Sequence, residues 1–333
     1  MSEVLVEVTR GGLVESIHLG SFAIVDTDGR ILYSKGDINR TTYLRSATKP
    51  LQLIAALELG IFEEFNLDYK ELAIISSSHG GENEHIDTIK SLMKKLNVQD
   101  SELKCGIHAP LNREAAHELI KKGEKPTKLH CTCSGKHLGQ IASAKILGFT
   151  GEYRAFDSDV QNHIKNIISI FSLTDRDKIH VGLDGCGAPV YAIPLVNAAK
   201  AYANIGNPGF AGGKYSKSQN QLIKAMTMHP EMVGGTGRLD TDLMKNFGDR
   251  VIGKFGDEGV YCTSLIKNGI GIALKIEDGA SRAVGPTILE ILVQMDIIKK
   301  DEMEPLKKYW RTPIINHLGE EAGEVRAVFR IDN

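Results

Sequence analysis

The chain has 333 residues, of which 42% are hydrophobic and 25% charged, the composition of an ordinary soluble globular protein somewhat longer than one average domain. Its 40 Lys and Arg against 42 Asp and Glu leave a net charge of -2, which offers no basic field to nucleic acid, and no run is apolar for long enough to span a bilayer. The start Met1-Ser2-Glu3-Val4-Leu5-Val6-Glu7 lacks the basic-then-apolar pattern of an export signal, so a cytoplasmic protein is expected, and five cysteines, an odd number, fit reduced thiols better than a disulfide framework.

In chain order, residues 21–35 form two β-type runs around Asp28-Gly29, a hairpin signal. The polar run 37–43 then gives way to Leu51-Gln52-Leu53-Ile54-Ala55-Ala56-Leu57, which predicts a helix over residues 46–60. Pro50 is tolerated only in the first turn of that helix and so marks its start. Leu72-Ala73-Ile74-Ile75 reads as a short buried strand that empties into Ser76-Ser77-Ser78-His79-Gly80-Gly81-Glu82, and a helix is expected from Glu84 to Leu96. Further helices are predicted from Ser134 or Gly135 to Leu147 and from Asp157 to Ile170. A strand Val181-Gly182-Leu183-Asp184 then enters a glycine-rich turn that holds Cys186. Residues 204–218, rich in Gly, Asn, Ser and Lys without an apolar period, are expected to form an exposed loop or lid. Residues 260–266 and 270–276 flank Asn268-Gly269, a second hairpin signal, ahead of a helix over 282–298. No repeat, low-complexity tract or separable linker interrupts the chain, so we expect one domain over residues 1–333 with two intimately packed lobes.

On a helix, Ser46 and Lys49 lie three positions apart on one face, with the amine in reach of the hydroxyl. A serine hydroxyl is a poor nucleophile at neutral pH and needs an unprotonated base beside it. Free lysine is protonated, so such a pair calls for burial or for a second ammonium nearby, and Lys254 would be that second cation. The spacing alone is unspecific, because Ser-x-x-Lys recurs at Ser91/Lys94, Ser101/Lys104 and Ser264/Lys267. What sets Ser46 apart is its place at a helix start, where a capping serine is equally at home.

Cys131-Thr132-Cys133-Ser134-Gly135-Lys136-His137 concentrates two thiols, an amine and an imidazole at a helix start, and Cys186 can join them in space. Thiolates suit tetrahedral zinc, and metal binding favours a neutral lysine ligand by competing with the proton for the nitrogen lone pair. Buried structural cysteines are the alternative reading. Cys105, Cys131 and Cys262 receive no role. His79 is read as a structural loop histidine, since neighbours in an extended segment point to opposite sides and Ser78 takes the other side.

Five ordered motifs stand out: Arg45-Ser46-Ala47-Thr48-Lys49-Pro50, Ser78-His79-Gly80-Gly81-Glu82, Cys133-Ser134-Gly135-Lys136-His137, Asp184-Gly185-Cys186-Gly187 and Lys254-Phe255-Gly256-Asp257-Glu258-Gly259-Val260. Through them the chain resembles, over nearly its whole length, the asparaginase II family of Rhizobium-type L-asparaginases with a serine β-lactamase-like fold. The resemblance implies a mixed α/β (α+β) architecture, penicillin-binding-like, with a largely antiparallel sheet flanked by helices. It implies hydrolysis of L-asparagine to L-aspartate and ammonia by a homodimer, with Ser46/Lys49 and Ser78/Lys254 as neighbouring dyads. It also implies zinc at Cys133, Lys136 and Cys186, in a positioning or structural role and without an organic cofactor. Arg45, His137 and Asp184 would bind substrate: Arg45 through a carboxylate, His137 by orienting a ligand or hydrogen-bonding substrate, and Asp184 through the ammonium or as support for a metal ligand.

The mechanism expected on this basis has neutral Lys49 accept the Ser46 proton as Ser46 attacks the carboxamide, with Ser78 and Lys254 relaying protons while water clears the acyl-enzyme. Two rivals stand beside it. A β-lactam-recognising serine acylase shares the Ser46/Lys49 and Lys254-x-Gly256 elements, but the chain has no Ser-Asp-Asn tripeptide and no export pattern. A zinc-stabilised binding protein without catalysis is the other, and the presence of all four Ser/Lys residues weighs against it.

Overall fold

The computed structural model describes residues 1–266 and 268–331, so Lys267 of the Ser264/Lys267 copy lies outside the described residues. Among the described residues, eleven strands build two sheets: β1 (Glu3–Arg10), β2 (Leu13–Val25), β3 (Ile31–Lys35), β4 (Thr41–Tyr43), β5 (His180–Leu183), β6 (Pro189–Pro194), β7 (Val251–Gly256), β8 (Val260–Leu265), β9 (Ile270–Ile276), β10 (Thr312–Ile315) and β11 (Glu321–Ala327). The large sheet is antiparallel in the order β10-β11-β1-β2-β9-β8-β7, with β3 also paired to β2, and β4-β6-β5 form a separate antiparallel sheet. Both predicted hairpins are present, β2 with β3 and β8 with β9. Helices cover both faces of the large sheet, as the mixed α/β expectation requires.

The two-residue period of the central strands sorts their side chains into two cores. Phe22 and Ile24 of β2, Tyr261 of β8, and Ile272 and Leu274 of β9 face a core closed by the helix Val284–Gln294. Ala23 and Val25, Cys262, and Ala273 face the other core, which the helices between residues 49 and 228 fill. The second set is mostly small, and this brings the helix Leu195–Ile205 close to the sheet: a Cβ on Gly271 would lie 1.9 Å from the Ala199 carbonyl oxygen.

The predicted helix at 46–60 begins as a 3-10 turn, Arg45–Thr48, and continues as an α-helix, Lys49–Glu58, with Pro50 in its first turn. Asn83–Leu96, Ser134–Ile146, Asp159–Ser172 and Val284–Gln294 match the other predicted helices to within a few residues at most ends, the last stopping short of residue 298.

Two expectations are corrected. Leu72-Ala73-Ile74-Ile75 is not a strand but the end of a helix, Tyr69–Ile75, started by a capping box in which Asp68 accepts the Glu71 N–H at 2.8 Å and Glu71 accepts the Asp68 N–H at 2.9 Å. The helix is enclosed by other helices, so its apolar run lacks the one-sided period of a surface helix. Residues 204–218 form the expected exposed loop only in part, between the helices Leu195–Ile205 and Ser216–Met228, and that loop is held in place rather than free to act as a lid. Gln219 donates to the carbonyls of Asn204 at 2.6 Å and Asn207 at 2.8 Å, and Phe210 and Tyr215 pack on Phe171, which pins the segment down. No described helix is long and apolar enough to cross a membrane.

Candidate active site

The site forms where β7 meets the start of the helix Lys49–Glu58. Gly256 at the end of β7 allows the contact, because a Cβ there would lie 2.4 Å from the Leu44 carbonyl oxygen. The turn that follows carries Arg45 with φ at +50°, a left-handed conformation uncommon outside glycine. Ser46, on this turn, lines a cavity of about 490 Å³ together with Ser78, Cys133, Asp184 and Cys186.

Lys49 is buried and reaches across to the segment that follows the helix Tyr69–Ile75. There its amine hydrogen-bonds to the Ser77 carbonyl and, at 3.0 Å, to the Ser78 hydroxyl. Ser77 lies just past the helix's C-cap, outside the helical hydrogen-bond ladder, so its carbonyl is open to the lysine. The Ser78 N–H donates to the Val233 carbonyl at 2.8 Å, which fixes the serine in place. Ser46 makes no side-chain hydrogen bond among the described residues. The lysine contact expected at Ser46 is therefore found at Ser78.

Lys254 does not bond to Ser78 in return. Its buried amine donates to Asp240 at 3.1 Å and to the Phe255 carbonyl at 3.0 Å. Both carboxylate oxygens of Asp240 also face the Phe255 N–H at 3.1 Å. Burial pushes the Lys254 pKa down, Asp240 opposes that shift, and the charge of Lys49 adds to it. Asp240 escaped the sequence reading, since an acidic residue in the first turn of a helix, here Leu239–Phe247, ordinarily needs no further explanation.

Arg45 joins two parts of the cavity wall. Its Nε donates to Asp184 at 2.8 Å, and one terminal nitrogen lies 3.4 Å from Asp257. The Asp184 oxygen bonded by Arg45 also accepts the Gly185 N–H at 2.9 Å, which orients the turn carrying Cys186.

The helix Ser134–Ile146 brings the thiols and amine together. It approaches the Tyr69–Ile75 helix so closely that a Cβ on Gly135 would lie 2.0 Å from the Ile74 carbonyl oxygen. Lys136, buried, donates to the Cys186 sulfur at 2.9 Å. The neighbouring Cys131 and Cys186 thiols hold the Cys133 thiol well below its ordinary range, while their own are pushed up. Burial works against a charged Lys136, but the Cys133 and Cys186 sulfurs outweigh it and hold its pKa up. Cys131, which sequence left without a role, lines the same cavity as Cys133 and Cys186, whereas Cys105 donates to the Lys128 carbonyl at 3.5 Å and Cys262 is buried apart in β8. No group of three or more His, Cys, Asp or Glu among the described residues is arranged to hold a metal; in the expected zinc set the third donor is an amine.

His137 is placed behind the cavity rather than on its wall. The Tyr153 hydroxyl oxygen accepts the Lys104 N–H at 3.0 Å and shares a hydrogen bond of 2.8 Å with His137 Nδ1. The other ring nitrogen, Nε2, has no partner among the described residues. His79 is a structural loop histidine, as expected: fully buried, it accepts the Gly81 N–H at Nδ1 and donates from Nε2 to Ser134.

A second cavity of about 460 Å³ adjoins the first and shares Leu111, Arg238, Phe255 and Asp257 with it. Two hydroxyls, two buried amines and a ring of paired charges thus converge on one cleft, the equipment for attack on an acyl carbon.

Solved structures of similar shape include Mglu in its native form, 11% identical at a TM-score of 0.38, with 85% of this chain and 66% of that one covered. They also include a β-lactamase-type structure from Bacteroides dorei, 12% identical at a TM-score of 0.42 with 82% and 93% covered. A third is the octameric penicillin-binding protein homologue from Pyrococcus abyssi, 13% identical at a TM-score of 0.44 with 87% and 76% covered. The chain spans just under two thirds of the length of Mglu. No curated protein matches the sequence significantly. The family model described as L-asparaginase II, however, matches residues 6–327, a stretch that takes in the two serines, the two lysines and the thiol cluster alike, and the chain belongs to that family.

Proposed function

We propose that this protein hydrolyses the side-chain amide of L-asparagine to L-aspartate and ammonia through a serine acyl-enzyme. The observation that carries the reading is the buried contact of 3.0 Å between Lys49 Nζ and Ser78 Oγ, with the unbonded Ser46 hydroxyl on the same cavity wall. A neutral Lys49 donates to the Ser77 carbonyl and turns its lone pair to the Ser78 hydroxyl. Ser46 attacks the carboxamide carbon, its proton passes to Ser78 Oγ, and the Ser78 proton passes to Lys49. Backbone N–H groups stabilise the oxyanion, the proton returns along the same path to the departing ammonia, and water clears the ester. The charge of Lys49 adds to the burial that lowers the Lys254 pKa. Asp184, oriented by Arg45, receives the substrate ammonium.

Cys133, Lys136 and Cys186 fit a zinc ion, because two soft thiols and an amine converge in a buried spot. A bound ion there supplies a rigid positive centre tying the helix Ser134–Ile146 to the turn at Cys186. Elemental analysis tests this: about one zinc per chain is expected, and a marked loss in Cys186→Ser. We also propose a homodimer, on the family resemblance, and a cytoplasmic location, on the N-terminal pattern; light scattering and cell fractionation test them.

Ammonia release from L-asparagine and L-glutamine, compared between wild type, Ser46→Ala and Ser78→Ala, tests the reaction. Release from asparagine that disappears in Ser46→Ala supports the relay. The direct lysine contact favours a second reading in which Ser78 itself attacks, and an acyl adduct trapped on Ser78 would establish it. Folded protein that binds asparagine without turnover would instead be a binding protein, and turnover of a chromogenic β-lactam without ammonia release would identify an acylase.

A further inference from the structure

We infer that Arg238, and not Arg45, holds the α-carboxylate of the substrate; the inference rests on the asparaginase reading above. The other cations at the cleft are committed within the protein. Lys49 is bound to Ser77 and Ser78, Lys254 to Asp240 and Phe255, and Arg45 to Asp184 and Asp257. Arg238 lines the cavity that holds Ser46 and Ser78, and among the described residues its side chain has neither a hydrogen bond nor an ion pair. Its guanidinium carbon lies 5.8 Å from the centre of the Phe255 ring, and Phe255 lines the same cavity.

This is a prepared position for an anion. Stacking on an aromatic face steadies a guanidinium while leaving its N–H edge open, and that planar edge matches a carboxylate in two parallel hydrogen bonds. The backbone fixes it further. Arg238 immediately precedes the helix Leu239–Phe247, whose second residue, Asp240, is anchored to Lys254 and to the Phe255 N–H. Arg238 therefore keeps its place relative to the catalytic lysines. Arg45, by contrast, would have to surrender a carboxylate of the protein before it could accept one from a ligand.

The test is a comparison of L-asparagine with 3-aminopropanamide, which is asparagine without its α-carboxylate, on wild type, Arg238→Gln and Arg238→Lys. A charge-assisted hydrogen bond of ordinary strength predicts that Arg238→Gln lowers kcat/KM for asparagine by about 10- to 100-fold, mostly through KM. The analogue, assayed as a substrate or as an inhibitor where turnover is below detection, should lose less than about threefold, and Arg238→Lys should recover part of the asparagine loss. Equal losses on both compounds would reduce Arg238 to a packing partner of Phe255, and no loss on either would remove it from binding. Either result overturns the inference. If wild type releases no ammonia from asparagine, the reading of the reaction fails by itself, and calorimetric titration with L-aspartate decides Arg238 separately. Binding that weakens in Arg238→Gln then supports the inference; unchanged binding, or none to wild type, overturns it.

Discussion

Lys254 Nζ lies 3.1 Å from Asp240 Oδ2, and both side chains are buried beneath the cleft, so neither charge has water to fall back on. Breaking a buried pair leaves an unneutralised charge and typically costs about 3–5 kcal/mol. Asp240→Asn, which preserves shape, is expected to destabilise the protein by that order and to lower turnover. Replacing both residues by Leu and Met should cost much less. Urea unfolding of the single and double variants checks this, and a loss under about 1 kcal/mol in Asp240→Asn would show that the pair is dispensable.

Lys49→Met retains most of the buried methylene volume of the lysine and removes its amine. General-base assistance is typically worth about 10²- to 10⁴-fold, so kcat should fall by that factor while circular dichroism remains that of wild type. A folded variant with most of its activity would take the base role away from Lys49.

At Gly135, the obstacle to a side chain is backbone, the Ile74 carbonyl oxygen 2.0 Å from an added Cβ. Gly135→Ala must therefore displace one helix from the other, at a cost of about 1–3 kcal/mol. Because Cys133 and Lys136 sit at the start of one helix and Ser78 follows the end of the other, ammonia release and zinc content should decline together. A variant that loses stability but keeps both would show that the helix contact does not position the site.

Acid stability follows from two stacked imidazoles, His79 and His85, whose ring centres are 5.2 Å apart. Each accepts a backbone N–H at Nδ1, from Gly81 and from Glu82, so neither can take a second proton without breaking that bond. Burial lowers both pKa values below the usual 6.5, that of His79 well below. The unfolded chain takes up these protons near its ordinary imidazole pKa while the folded chain does not. The stability is thus present above that pH and lost as pH falls below it, at up to about 1.4 kcal/mol per pH unit for each group. Urea midpoints measured between about pH 7.5 and 5.5 should decline, and His85→Asn should flatten the decline; an equally steep decline in that variant would exclude His85 as a source.

Much of the architecture was legible because its signals are local. Asp28-Gly29 and Asn268-Gly269 announce hairpins by turn chemistry, and Pro50 marks a helix start by its missing N–H. The strand reading of Leu72–Ile75 failed although a local signal, the Asp68-x-x-Glu71 capping box, was present, because full burial erased the helical period of the residues after it. Ser46, Ser78, Asp184 and the thiols were brought to one cavity as the motifs implied, yet the lysine partners were not foreseen. Which hydroxyl a long amine meets depends on how the end of the Tyr69–Ile75 helix crosses the Arg45–Thr48 turn, a tertiary relation that spacing does not encode. Asp240 and Arg238 belong to no motif and became visible only once the helix Leu239–Phe247 lay beside β7.

The alternation along β2 makes that strand a partition shared by two interiors. Deleting or inserting a single residue between Phe22 and Val25 would turn Phe22 or Ile24 toward the side of the Leu195–Ile205 helix, where mostly small groups pack, and would leave a void on the opposite side. Neither interior can be disordered without stripping the partition from its neighbour. The molecule should accordingly melt as one cooperative unit, and a fragment cut to contain only the helical half, with Ser46, Ser78 and the thiols all present, would have no wall against which to assemble them.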